Sequence, residues 1–162
     1  ETKHALNTGR SVGLGLQQVE WWIGGHFEAL AERLSRSQRP LFLFPGEHAL
    51  SLTEAREQTP PDLLIVLDGT WRKARKMLYC NPILESVPRI QLPADNVSRY
   101  RLRKADMPGA LATVEAVVEV LSVWQPDAMQ PLLNPFEALI EQQIAAMGDE
   151  VFRRNHRVSR SD

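Results

Sequence analysis

At 162 residues, with 43% apolar and 24% charged residues, the chain has the size and balance of one soluble globular domain. Its formal net charge of -1 argues against a generic nucleic-acid sponge, and no apolar run reaches the roughly 18 residues that a membrane span needs. A single cysteine, Cys80, excludes an internal disulfide framework and a multi-cysteine zinc site in this chain, and suits a reducing cytoplasm.

The chain opens on ETKHALNTGR, which has no hydrophobic segment of a secretory leader; it does not begin with Met, as expected for a piece of a longer protein. Gly13-Leu14-Gly15 is a fragment of a dinucleotide fingerprint that lacks the third glycine and follows no convincing strand. Val19–Ile23 (VEWWI) reads as a strand. His26–Ser37 puts Phe27, Leu30, Ala31 and Leu34 on one helical face. Leu41–Phe44 (LFLF) is the next strand. Ser51–Gln58 follows as a short polar helix, with Ser51 at the N-cap and Glu54 closing a capping box. Leu63–Leu67 (LLIVL) is a strand apolar on both faces, Trp71–Cys80 a basic helix, and Arg89–Leu92 (RIQL) a last strand.

A long connection, Pro93 to Gly109, leads to a helix over Val114–Trp124, which Gln125-Pro126 stops. The last helix starts at Asn134, with Pro135 at its first position, and carries Phe136, Leu139, Ile140, Ile144 and Met147 on one face. The tail 153–162 has no apolar period and is expected to be flexible. Strand alternating with helix predicts an α/β fold: a mostly parallel sheet flanked by helices, as one domain over residues 1–162.

In such sheets ligands bind outside the carboxyl ends of the strands. Three segments lie there: Pro45-Gly46-Glu47-His48, Asp68-Gly69-Thr70-Trp71, and the long connection into Ala112-Thr113-Val114-Glu115. Positive charge is clustered beside them. Arg72, Lys73, Arg75 and Lys76 form one group; Arg99, Arg101, Arg103 and Lys104 surround Tyr100 in another; a third lies in the tail. An aromatic ring among basic residues suits base stacking with phosphate neutralisation, although each cluster taken alone also reads as a solvated face. Asp68 is either the N-cap of the basic helix or a carboxylate at the mouth of a cleft. A phosphatase-type reading of Asp-Gly-Thr fails, because the nucleophile position two residues earlier holds Val66. His4, His26, His48 and Cys80 show no metal-ligand spacing, so no metal is expected.

Asp68-Gly69-Thr70-Trp71 resembles the D-x-T-W signature of the DTW-domain family, which is similar to the tRNA-uridine aminocarboxypropyltransferases. Four further blocks resemble that family in order: His4-Ala5-Leu6-Asn7-Thr8-Gly9 (H-x-x-N-T-G), Phe44-Pro45-Gly46 (F-P-G), Tyr100-Arg101-Leu102-Arg103 (Y-x-L-R), and Ala112-Thr113-Val114-Glu115-Ala116 (S-T-x-E-A, with Ala112 where Ser is usual). The N-terminal cysteine cluster that family members often carry is not in this chain.

The resemblance implies a SPOUT-like fold with a C-terminal trefoil knot that holds S-adenosylmethionine as donor. It implies transfer of the 3-amino-3-carboxypropyl group to N3 of a tRNA uridine, with 5′-methylthioadenosine leaving. It makes Leu43, Pro45, Gly46, Gly69, Thr70, Trp71 and Leu92 candidates for the donor pocket, with Leu111, Ala112, Thr113 and Glu115 on its other side. Asp68 is the candidate base for N3 and a candidate donor ligand, and Arg101 or Arg103 the fork for the donor carboxylate. Glu115 either holds the α-amine or stabilises the first helical turn. Arg72, Lys73, Arg75, Lys76, Arg99, Tyr100 and Lys104 are the candidate tRNA contacts. The same fold also suits an S-adenosylmethionine-dependent RNA methyltransferase, and the basic clusters a non-catalytic RNA-binding factor.

Overall fold

The computed structural model describes residues 16, 18–94, 98, 99 and 111–147. The H-x-x-N-T-G block, Gly13 to Gly15, the Y-x-L-R block with Tyr100, Arg101, Arg103 and Lys104, and the tail lie outside the described residues.

A three-stranded, fully parallel sheet forms the centre. Strand β1 (Pro40–Leu43) lies between β2 (Leu63–Val66) and β3 (Arg89–Ile90). The register pairs Leu41 with Leu64 and Leu43 with Val66 on one side, and Phe42 with Arg89 on the other. The segment after β1 returns along the free edge of β3, where Leu50 N–H donates to Arg89 O (2.8 Å) and Gln91 N–H to Leu50 O (2.9 Å). Parallel neighbours need long crossovers. Helix α2 (Leu52–Arg56) makes one, capped by the expected reciprocal pair of Ser51 and Glu54. Helix α3 (Trp71–Cys80) makes the other, and a 3-10 turn at Pro82–Ser86 completes it.

Because β2 and β3 flank β1 on opposite sides, right-handed crossovers require α2 and α3 on opposite faces of the sheet. They are found there. Phe42 and Phe44 point to one face with Ile65, Leu67 and Leu78 of α3; helix α1 (Leu30–Ser35) covers them through Leu30 and Leu34. Leu41 and Leu43 point to the other face with Ile90, Leu64, Leu92 and Ala55 of α2. This alternation is the period-two pattern of a strand buried on both sides. Phe42 is fully buried, so Phe42→Ala would cost about 3–5 kcal/mol.

The C-terminal third is helical. Helix α4 (Thr113–Leu121) runs from the carboxyl end of β2, beside Val66, toward Leu41 and Ile90, which Val120 meets. Helices α5 (Pro126–Met129) and α6 (Leu133–Met147) pack against α4 through Met129, Leu133, Phe136, Ile140 and Ile144.

Three expectations are corrected. Val19–Ile23 is not a strand: Trp22 buries its ring against Phe27 (5.9 Å between centroids), while Trp21 and Ile23 face solvent, so the alternation is real but no strand edge pairs with it. The helix expected from His26 starts at Leu30, because the side chain of Asn81 holds the preceding turn. Its Oδ1 accepts from Phe27 N–H (2.9 Å) and its Nδ2 donates to Gly25 O (2.8 Å). Asn134 is not a cap. A 3-10 turn at Gln130–Leu132 runs straight into α6 and receives the N–H of Leu133.

Candidate active site at the strand ends

The loop after β2 turns on Gly69, whose φ of +146° is a conformation that side-chain-bearing residues rarely adopt. Thr70, not Asp68, caps α3: its Oγ1 accepts from Lys73 N–H (3.4 Å). Of the two readings open for Asp68, the cap is therefore taken by its neighbour. Asp68 is exposed, and its Oδ1 accepts a 2.6 Å hydrogen bond from Thr113 Oγ1 at the start of α4. The D-G-T-W and A-T-V-E-A blocks thus meet.

Trp71, at the first position of α3, sets its ring edge-on to Phe44, 5.8 Å between centroids at 65°, and is 37% exposed. This joins the F-P-G segment to the D-G-T-W segment. Phe44 stacks on Phe42 (5.2 Å, 11°), so the aromatic row continues from the mouth into the core.

The first turn of α4 keeps half of a capping box. Glu115 Oε2 accepts from Ala112 N–H (2.7 Å), but Ala112 has no side-chain oxygen to offer in return. The Glu115 carboxylate is buried and also accepts from Ser98 Oγ (2.6 Å) and Arg99 N–H (2.5 Å). It therefore ties the segment after β3 to α4, a function neither sequence reading of Glu115 contained in full.

Leu43 and Leu92 pack half-buried into the α2 face of the sheet, and Pro45 is exposed beside Gly46. Leu111 and Glu115 line a cleft of about 140 Å³ with Arg99, Val118 and Leu133. An adjoining cleft of about 370 Å³ lies between Ser98, Arg99, Glu137, Ile140 and Glu141. Neither of these two clefts is lined by Asp68. Arg72, Lys73, Arg75 and Lys76 are all exposed on α3, because Ala74 takes the buried side of that turn. Arg99 is ion-paired with Glu137 (2.6 Å). Among the described residues no group of three His, Cys, Asp or Glu side chains is arranged to hold a metal ion, and no described helix is long and apolar enough to cross a membrane.

Sequence reasoning missed Phe44 as a contact of Trp71, Ser98 as a partner of Glu115, and Arg89. The last had a signal: a charged residue opening a strand in a sheet covered on both faces needs a reason to be there.

The fold is that of an α/β protein with a parallel sheet flanked by helices, whose segments after β1 and β2 meet α4 at one end of the sheet. More narrowly, the chain belongs to the DTW-domain family, whose profile matches residues 1–144. It is similar to tRNA-uridine aminocarboxypropyltransferase 2 of Drosophila melanogaster, with 28% identity over 153 residues, covering 89% of this chain and 61% of that protein. The Macaca fascicularis protein of the same name is 30% identical over 113 residues, covering 67% of this chain and 38% of that one. The chain thus spans 61% or less of these relatives' own length. No solved structure matches it.

Proposed function

We propose that this chain transfers the 3-amino-3-carboxypropyl group of S-adenosylmethionine to N3 of a uridine in tRNA, releasing 5′-methylthioadenosine. The family membership and the names of its relatives support this. The observation that carries it is the Asp68–Thr113 hydrogen bond, with the Phe44–Trp71 contact beside it. Together they join three separate segments of the chain at one end of the sheet.

The donor set suits the ligand. A sulfonium amino acid presents a charged amine, a carboxylate and an apolar nucleoside, and this face offers a carboxylate, donors at a helix start and two aromatic rings. S-adenosylmethionine supplies an electrophilic carbon and a thioether leaving group. Any of three carbons on sulfur could be attacked, so the protein's task is orientation: the aminocarboxypropyl carbon must lie in line with N3 while the methyl faces away.

Asp68 takes the N3 proton as the N3–C bond forms and the C–S bond breaks, its electron pair staying on sulfur. Thr113 holds one oxygen of the Asp68 carboxylate and leaves the other to accept that proton. A positioned base of this kind is worth about 10²–10⁴-fold. Arg72, Lys73, Arg75 and Lys76 hold the tRNA backbone over the site. The trefoil knot of SPOUT-like enzymes belongs to this reading.

The test is a nucleoside digest of unmodified tRNA after incubation with the protein and S-adenosylmethionine. An aminocarboxypropyl mass gain on uridine, abolished in Asp68→Ala, is expected. A methyl gain would make the chain a methyltransferase. No gain, with tRNA binding intact, would make it a binding factor.

A further inference from the structure

We infer that Arg89 is an anion-binding residue of the strand-end face, placed to clamp a pair of negatively charged oxygens beside Gly46. The choice of ligands rests on the proposed function; the geometry does not. Arg89 opens β3 opposite Phe42 and is half-buried. Its guanidinium carbon lies over the rings of Phe42 (5.8 Å) and Phe44 (5.7 Å), within the range of cation–π attraction. Its Nη1 donates to Pro45 O (3.3 Å). A guanidinium has five N–H donors in a planar fork. No other acceptor takes one, and no carboxylate pairs with it, among the described residues.

The guanidinium keeps N–H donors that no described protein group takes. Two aromatic rings lie under it at the strand end, and the Pro45-Gly46 loop passes close beside it. A Cβ on Gly46 would come within 2.9 Å of Nη1 and 3.1 Å of Cδ, so any larger residue there would push the end of the Arg89 side chain aside. The arrangement is a preorganised fork with spare donors next to Phe44, which touches Trp71. Such a fork matches a carboxylate or a phosphate in bidentate geometry. Two sources supply that chemistry here: the carboxylate of the donor and a backbone phosphate of the RNA.

Direct binding separates them. Calorimetry would compare S-adenosylmethionine with its decarboxylated analogue on the wild type, Arg89→Gln and Arg89→Lys. Filter binding would give the salt dependence for tRNA on the same proteins, and thermal melting would check their folding. If the carboxylate is the ligand, the wild type prefers the complete donor at least tenfold and Arg89→Gln erases the preference. If a phosphate is the ligand, the slope of log affinity against log salt falls by about 0.7–0.9 in Arg89→Gln. Arg89→Lys keeps a point charge and falls between. A preference and a slope that both stay at the wild-type value in the two variants overturn the inference. A wild type that transfers methyl instead would sink the proposed reaction and leave these binding readouts standing.

Discussion

Thr113 Oγ1 donates a 2.6 Å hydrogen bond to Asp68 Oδ1, across 45 residues of sequence. It links the first turn of α4 to the loop after β2 and occupies one oxygen of the carboxylate. Without that bond the carboxylate loses its orientation but remains a base, so Thr113→Val should lower kcat on tRNA by less than the roughly 10²–10⁴-fold a positioned base is worth, and Thr113→Ser should restore most of it. Equal activity in all three proteins would show that Asp68 needs no such support.

Glu115 predicts a different phenotype. Its carboxylate receives Ser98 Oγ, Arg99 N–H and Ala112 N–H at 2.5–2.7 Å. Glu115→Ala orphans at least the buried Ala112 N–H, which costs about 1–3 kcal/mol. Chemical denaturation should show that loss even without cofactor or RNA. A midpoint unchanged from wild type would mean that water replaces the carboxylate.

Ala112 offers the converse experiment. Its φ of -69° and ψ of 154° are those of an N-cap, and Glu115 already supplies the returning half of the box. Ala112→Ser adds the missing acceptor for the backbone N–H of residue 115. It should raise stability by about 0.5–2 kcal/mol, the usual worth of a cap. Destabilisation would mean the fully enclosed site cannot take a hydroxyl.

Acid stability should report on Asp62, at the entrance to β2. The Ser37 hydroxyl, together with the N–H groups of Gln38 and Arg39, holds its carboxyl down to about 2. The sign follows from linkage: a depressed folded-state value contributes stability above the ordinary carboxylate range near 3.9, and that stability is lost as pH falls toward 2. Wild type should therefore lose more stability than Asp62→Asn between pH 4 and about 2. Parallel pH profiles for the two proteins would contradict this.

The α3 cluster makes a prediction about salt. Arg72 and Arg75 are exposed beside Trp71. Replacing both with Gln should weaken tRNA binding at low salt and flatten its salt dependence by about 0.7–0.9 for each phosphate no longer neutralised. Affinity for S-adenosylmethionine should not move.

Much of the framework was legible in the chain. LFLF and LLIVL are apolar on both faces, as expected of strands in a covered parallel sheet, while RIQL alternates polar and apolar residues. Ser51 with Glu54, and Trp71 through Cys80, carried their own start signals. The failures share a cause. VEWWI has a strand's alternation but no neighbour to pair with, and pairing is a tertiary fact. Asn134-Pro135 has a cap's chemistry, but the turn before it already satisfies the backbone. At the site, the position of the loops after parallel strands indicated that they lie at one end of the sheet. Which atoms touch was not readable: Thr70 rather than Asp68 caps α3 because Gly69 turns the chain between them, and Glu115 reaches Ser98 only because α4 folds back along the sheet.

The central claim is that these segments turn the amino-acid arm of a sulfonium donor, and not its methyl, toward the RNA. S-adenosylmethionine labelled with ¹⁴C in the carboxyl group and ³H in the methyl group tests it in one incubation with unmodified tRNA. Carbon label in the RNA, with tritium recovered in 5′-methylthioadenosine, is the predicted outcome. Tritium in the RNA, with the carbon label left in S-adenosylhomocysteine, would contradict it.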